Sequence, residues 1–173
     1  MFGVEMLGVQ IQKYSTKHRV PAELIVMTIA TETGMYREAR FTGPKTFRWE
    51  ENIIDYSAGP MQMLSETARR INRQANLGYD DGQFPAMARR PAQPSGDLAL
   101  YDPEVAIDVG AALIRRIIDG NGTNPILVAA AYNAGSVRPS DRNPWKIHCF
   151  GDHLEHAAQW YGDACEVVEH LRA

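Results

Sequence analysis

The stretch Ala22-Glu23-Leu24-Ile25-Val26-Met27-Thr28-Ile29-Ala30-Thr31-Glu32-Thr33, preceded by Pro21 and closed by Gly34, decides how this chain folds. Proline suits the first turn of a helix, where its missing N–H costs nothing, and glycine suits the end. Between them the residues are apolar almost all round. A helix without a wet face belongs in the interior of its domain. Glu32 stands out within it, in the last turn and on the face of Ile25, Thr28 and Ile29. Loss of water and the partial negative charge at a helix C-terminus both oppose its ionisation. Such a carboxyl can protonate a leaving oxygen near neutral pH. The alternative is an acid that points outward as the helix ends, and this segment alone leaves both readings open.

Working outward, the chain reads as helices separated by loops, without an internal repeat. Val4, Leu7, Ile11 and Tyr14 set a first helix over Val4 to Lys17. From Met35 to Pro60 the helical period is lost, and Phe47, Trp49, Ile53, Ile54 and Tyr56 suggest a small β-hairpin. A third helix is expected over Met61 to Gln74. Asn76 to Leu100 is rich in glycine and proline, a loop long enough to form a groove wall. Asp102-Pro103-Glu104 is a helix start, with an end near Asp119 before Gly120 and Gly122. Pro125 opens another helix to about Asn133, closed by Gly135. Asp152 with Glu155 resembles a capping box for a last helix to about Leu171. The sum is a mainly α protein, read as one domain over residues 1–173.

Bulk properties narrow the function. At 173 residues, 45% hydrophobic and 23% charged, the composition is that of a globular domain. A net charge of −3 argues against nucleic acid as a partner, because the arginine pairs Arg69-Arg70, Arg89-Arg90 and Arg115-Arg116 are balanced by acids. The longest apolar runs fall short of the ~20 residues of a membrane span, and Met1 to Tyr14 lacks the pattern of a secretory signal. Cys149 and Cys165 are either one bridge or two buried thiols. His148, Cys149, His153 and His156 fit no compact zinc spacing, so no metal or other cofactor is expected.

Two more segments carry chemistry. Ser57-Ala58-Gly59-Pro60-Met61-Gln62-Met63 is a glycine-proline turn expected to pass into a helix, offering backbone groups, a methionine and an amide to a groove. Alone, it is equally a helix N-terminus with methionines in the core. Ala130-Ala131-Tyr132-Asn133-Ala134-Gly135 combines small residues for close packing with a hydroxyl and an amide at a helix end.

In this order, Glu-Thr-Gly, Gly-Pro-Met-Gln and Ala-Ala-Tyr-Asn-Ala-Gly resemble the soluble (SLT) type of lytic transglycosylase, in the lysozyme-like superfamily to which goose-type lysozymes are also similar. The resemblance covers roughly Leu24 to Gly135, and more loosely the C-terminal helix. It implies a lysozyme-like domain that acts on peptidoglycan glycan strands, with Glu32 as the catalytic acid; the chain is expected to be a monomer. It also implies that Ser57, Gly59, Met61, Gln62, Tyr132 and Asn133 contact substrate, and that a late tyrosine, for which Tyr161 is the candidate, lies near the acid. Thr33 replaces the family's usual serine and Pro60 its usual leucine. The stretch between Glu32 and Gly59 is longer than in many relatives.

The implied reaction cleaves the bond between N-acetylmuramic acid and N-acetylglucosamine and leaves a 1,6-anhydro product, with Glu32 as acid and then base. The competing reading is hydrolysis by a muramidase, which needs a second carboxylate to activate water. Asp55 is the candidate, with Glu50 and Glu51 as further ones, unless Asp55 merely caps local N–H groups. A third reading is a non-catalytic glycan-binding module, against which a costly buried acid argues. The expected setting is the bacterial cell wall or periplasm, with a phage lysis or virion protein favoured over a secretion-machine component.

Overall fold

A computed structural model describes residues 4–34 and 43–172. A 3₁₀ turn, Val4–Leu7, leads into α1 (Gly8–His18), and α2 follows as Ala22–Thr33. The first helix therefore begins with a tighter turn than its spacing suggests, a common device at helix starts. Residues 35–42, the first part of the stretch expected to be non-helical, lie outside the described residues. Beyond them come β1 (Arg48–Glu50), β2 (Asp55–Ala58) and β3 (Met63–Leu64), a three-stranded antiparallel sheet in the order β1-β2-β3. Trp49 pairs with Tyr56, and Ala58 with Met63. The hairpin foreseen between the second and third helices is thus present, with one strand more.

That extra strand corrects the third helix. It was expected from Met61, but α3 runs Ser65–Ala75. Gln62 adopts a left-handed φ of 44°, and Met63 and Leu64 pair with β2, so helical geometry cannot begin before Ser65. The first turn of α3 is instead capped from β2. Asp55 accepts from Ser65 Oγ at 2.7 Å and from the N–H of Glu66 at 3.2 Å.

The next two helices follow their punctuation. α4 spans Pro103–Asn121, with Asp102 accepting from the N–H of Glu104 at 2.9 Å. α5 spans Pro125–Ala134, capped by Asn124 and ended by Gly135 at φ 77°. α6 spans His153–Arg172. The loop 76–100 contains one 3₁₀ turn, Asp81–Gln83, before a second at Ala99–Tyr101.

α4 divides the core. One apolar cluster joins α1, α2, α5 and α6 to Ile107, Ala111, Ile114, Ile117 and Ile118 of α4. The other joins the sheet, α3 and Leu98–Tyr101 to Val105, Val109 and Ala112, on its opposite face. Ala22 and Leu24–Ala30 of α2 are all buried, as an all-round apolar helix requires. Asp108 pins the outer side of α4, where Lys17 Nζ (2.7 Å), His18 Nε2 (2.5 Å) and the Tyr79 hydroxyl (2.9 Å) converge on its buried carboxylate. The result is a mainly α, lysozyme-like fold: a helical part and a sheet part meeting along α4.

Cys149 and Cys165 are free thiols and half-buried, so the alternative of a bridge is not realised. Among the described residues, no helix is long and apolar enough to cross a membrane.

Candidate active site

The C-terminus of α2 opens at the seam between the two parts. Thr33 closes the helix by donating its hydroxyl to Ile29 O at 2.6 Å, and the N–H of Gly34 returns to Ala30 O. Its neighbour Glu32 projects into the seam with a side chain only 8% exposed. Burial pushes the Glu32 carboxyl up to about 8; nearby Arg48 opposes the shift and the negative charge of Glu50 adds to it. Both residues belong to β1, so the sheet forms one wall. Tyr132 of α5 forms another, its phenol driven upward by burial and by the charge of Glu32. The third is α6, whose first residue, His153, places Nε2 3.8 Å from Glu32 Oε1.

The turn between β2 and β3 is built almost wholly from bonds to itself and to its surroundings. Gly59 sits at φ 77°, and a Cβ there would come 1.7 Å from Leu100 O, so only glycine fits. Its N–H donates to Thr46 Oγ1 at 3.0 Å. Gln62 donates from Nε2 to Thr46 O (2.5 Å) and to Gly59 O (3.0 Å), while its Oε1 lies 3.2 Å from Ser57 Oγ. The same Ser57 hydroxyl lies 3.2 Å from Glu50 Oε1, which also takes Arg48 Nε at 2.5 Å. The Tyr132 hydroxyl donates to Met61 O at 2.8 Å, joining α5 to this turn across the seam.

These bonds redistribute the residues expected to meet a substrate. Ser57 and Met61 are buried, and Met61 packs on Gly110 of α4, so both hold the wall from behind. Gln62 has both ends of its amide engaged inside the turn. Asn133 is half-buried, and its Oδ1 accepts the N–H of Phe150 at 2.6 Å, fixing the loop that leads to α6. Tyr161 lies elsewhere, beside Cys165 and Glu23. Glu23 and Glu32 are at opposite ends of α2, about 13 Å apart along its axis. Asp55 is withdrawn too, its carboxylate spent on Tyr56 N and the first turn of α3.

Sequence reading passed over Arg48 and His153 as partners of Glu32, and it ranked Glu50 below Asp55. His153 had a signal, a histidine in the first turn of the last expected helix, but only its metal-ligand value was weighed. Among the described residues, no group of three or more histidine, cysteine, aspartate or glutamate side chains is arranged to hold a metal ion.

A buried acid at the end of a core helix faces a small antiparallel sheet across the seam of a lysozyme-like fold. The chain belongs to the family of the transglycosylase SLT domain, whose model matches residues 10–143. No curated protein matches it. Membership implies a peptidoglycan substrate and action on the cell wall. The match ends before α6, so His153 lies outside the matched stretch.

Proposed function

We propose that this protein is a peptidoglycan lytic transglycosylase in which Glu32 is the single acid and base. The observation that carries the reading is the Glu32 carboxyl, sheltered from water at the end of α2 and holding its proton to about pH 8. At neutral pH it is the protonated form that faces the seam, as a general acid requires.

The reaction runs in two proton transfers. Glu32 gives its proton to the oxygen linking N-acetylmuramic acid to N-acetylglucosamine, and the C1–O bond breaks. The acetamido carbonyl of the muramic residue supports the electron-poor C1 in place of an enzyme nucleophile. Glu32, now a carboxylate, removes the proton of the C6 hydroxyl, and that oxygen bonds to C1. The product is a 1,6-anhydro ring; no water is consumed, and Glu32 regains its proton. Half-buried Tyr132 and Asn133 would orient the sugars near the acid, and the turn 57–62, buried except for Gln62, holds the opposing wall. α6 supplies one side of the seam, which supports reading residues 1–173 as one catalytic domain.

Hydrolysis on the same scaffold is the second reading, and one observation keeps it in view. Among the described residues, the acid whose charge reaches Glu32 is Glu50, on β1, whereas Asp55 caps α3. A water-activating base would therefore be Glu50.

Two measurements test the proposal. Glu32→Gln should fold and lose lysis of purified sacculi by at least about 10³-fold; full activity would remove Glu32 from the chemistry. Mass spectrometry of the released muropeptides should find 1,6-anhydro ends. Reducing ends carrying an added water would assign the chain to the muramidases instead.

A further inference from the structure

We propose that His153 is the positioning residue of Glu32, its Nε2–H closing onto the carboxylate that Glu32 becomes once its proton has gone to the leaving oxygen. The inference rests on Glu32 being the acid.

The geometry is specific to the two helix ends. α2 and α6 pack antiparallel: Arg172 at the end of α6 meets Glu23 at the start of α2 at 3.0 Å, and His153 at the start of α6 meets Glu32 at the end of α2. The two side chains are 10% and 8% exposed, so water cannot easily supply what they lack. The C-terminus of α2 disfavours a charge on Glu32, whereas the N-terminus of α6 favours an anion at the same point. His153 is the side chain on that favourable end.

A gap of 3.8 Å is too long for a hydrogen bond to the neutral acid. Ionisation changes the balance, because an N–H donor bonds a carboxylate more strongly and at shorter range than a carboxylic acid. An interaction that is weak before proton transfer and strong after it lowers the barrier rather than merely tightening binding. Neutral His153 can serve as this donor over the working range. Burial, then the neighbouring His156 and Arg48, hold its imidazole down at about 4, with Asp152 pulling the other way. Among the described residues, the charged and titratable groups around the pair are thus Arg48 and Glu50 on β1, Tyr132 on α5, and Asp152 and His156 on α6. Protonated His153 would instead place a positive charge beside the electron-poor C1 that forms in the seam and oppose its formation, so activity should fall as pH drops towards 4.

The test compares wild type, His153→Gln and His153→Leu on soluble peptidoglycan strands across pH, with ¹³C NMR titration of the Glu32 carboxyl in each. Glutamine keeps an N–H donor without a titration, and leucine removes the donor. Leucine should lower kcat by about 10–100-fold with KM little changed, and should raise the Glu32 pKa. Glutamine should restore kcat to within a few-fold and return the Glu32 titration towards wild type, while abolishing the acid limb near pH 4. An acid limb that persists in His153→Gln, or a Glu32 titration unmoved in His153→Leu, overturns the proposal. If those variants behave like wild type while Glu32→Gln is inactive, only the role of His153 fails. An active Glu32→Gln removes both.

Discussion

Asp55 and Glu50 separate two jobs that carboxylates perform in this fold. Asp55 faces three donors, the N–H groups of Tyr56 and Glu66 and the hydroxyl of Ser65, and so satisfies the start of α3. Asp55→Asn should lower stability by about 1–2 kcal/mol, as loss of a good cap does, measured by urea unfolding. Its lytic activity below the unfolding transition should stay near wild type. A collapse of activity in a fully folded variant would return Asp55 to the chemistry. The apolar helix that carries Glu32 was legible from sequence, but it left the direction of Glu32 open. The packing of α6 and β1 at the helix end decides that direction. The partners of Glu32 were not legible, since Arg48, Glu50 and His153 reach it only through the pairing of β1 and the antiparallel docking of α6.

At the scale of elements, the glycine-proline turn was legible as a turn and misread as a helix start. Periodicity over Met61 to Gln74 does not reveal that Gln62 takes a left-handed φ or that two residues pair with β2 before helix begins. What the turn does for the fold is visible in two glycines. A Cβ on Gly59 meets the backbone oxygen of Leu100, which cannot move away, and the residue also has φ 77°. A Cβ on Gly110, in mid-α4, meets the Cε of Met61 at 2.5 Å, the free end of a flexible side chain. Gly59→Ala should therefore cost at least about 3 kcal/mol through strain and overlap. Gly110→Ala gains up to about 1 kcal/mol of helix propensity, which offsets part of the repacking of Met61, so its net loss should be smaller. Equal losses in thermal or urea unfolding would mean that the turn yields as readily as a side chain does.

For the molecule as a whole, the two buried groups at the seam tie stability to pH in opposite directions. The Glu32 pKa is raised from 4.5 to about 8, so its contribution is intact below pH 4.5 and is lost as pH rises towards 8, where the folded chain must bury a carboxylate. The His153 pKa is lowered from 6.5 to about 4, so its contribution is intact above pH 6.5 and is lost as pH falls towards 4. Between 4.5 and 6.5 the two slopes oppose one another. From 6.5 to 8 only that of Glu32 remains, at no more than about 1.4 kcal/mol per pH unit. Glu32→Gln should accordingly match wild type in stability near pH 4.5 and exceed it by a few kcal/mol at pH 8, because an amide has no proton to lose. Unfolding free energies measured from pH 4.5 to 8.5 test this directly. Curves for the two proteins that run parallel would mean that Glu32 ionises as freely in the folded chain as in the unfolded one, and a carboxyl of that kind could not keep its proton for a glycosidic oxygen at neutral pH.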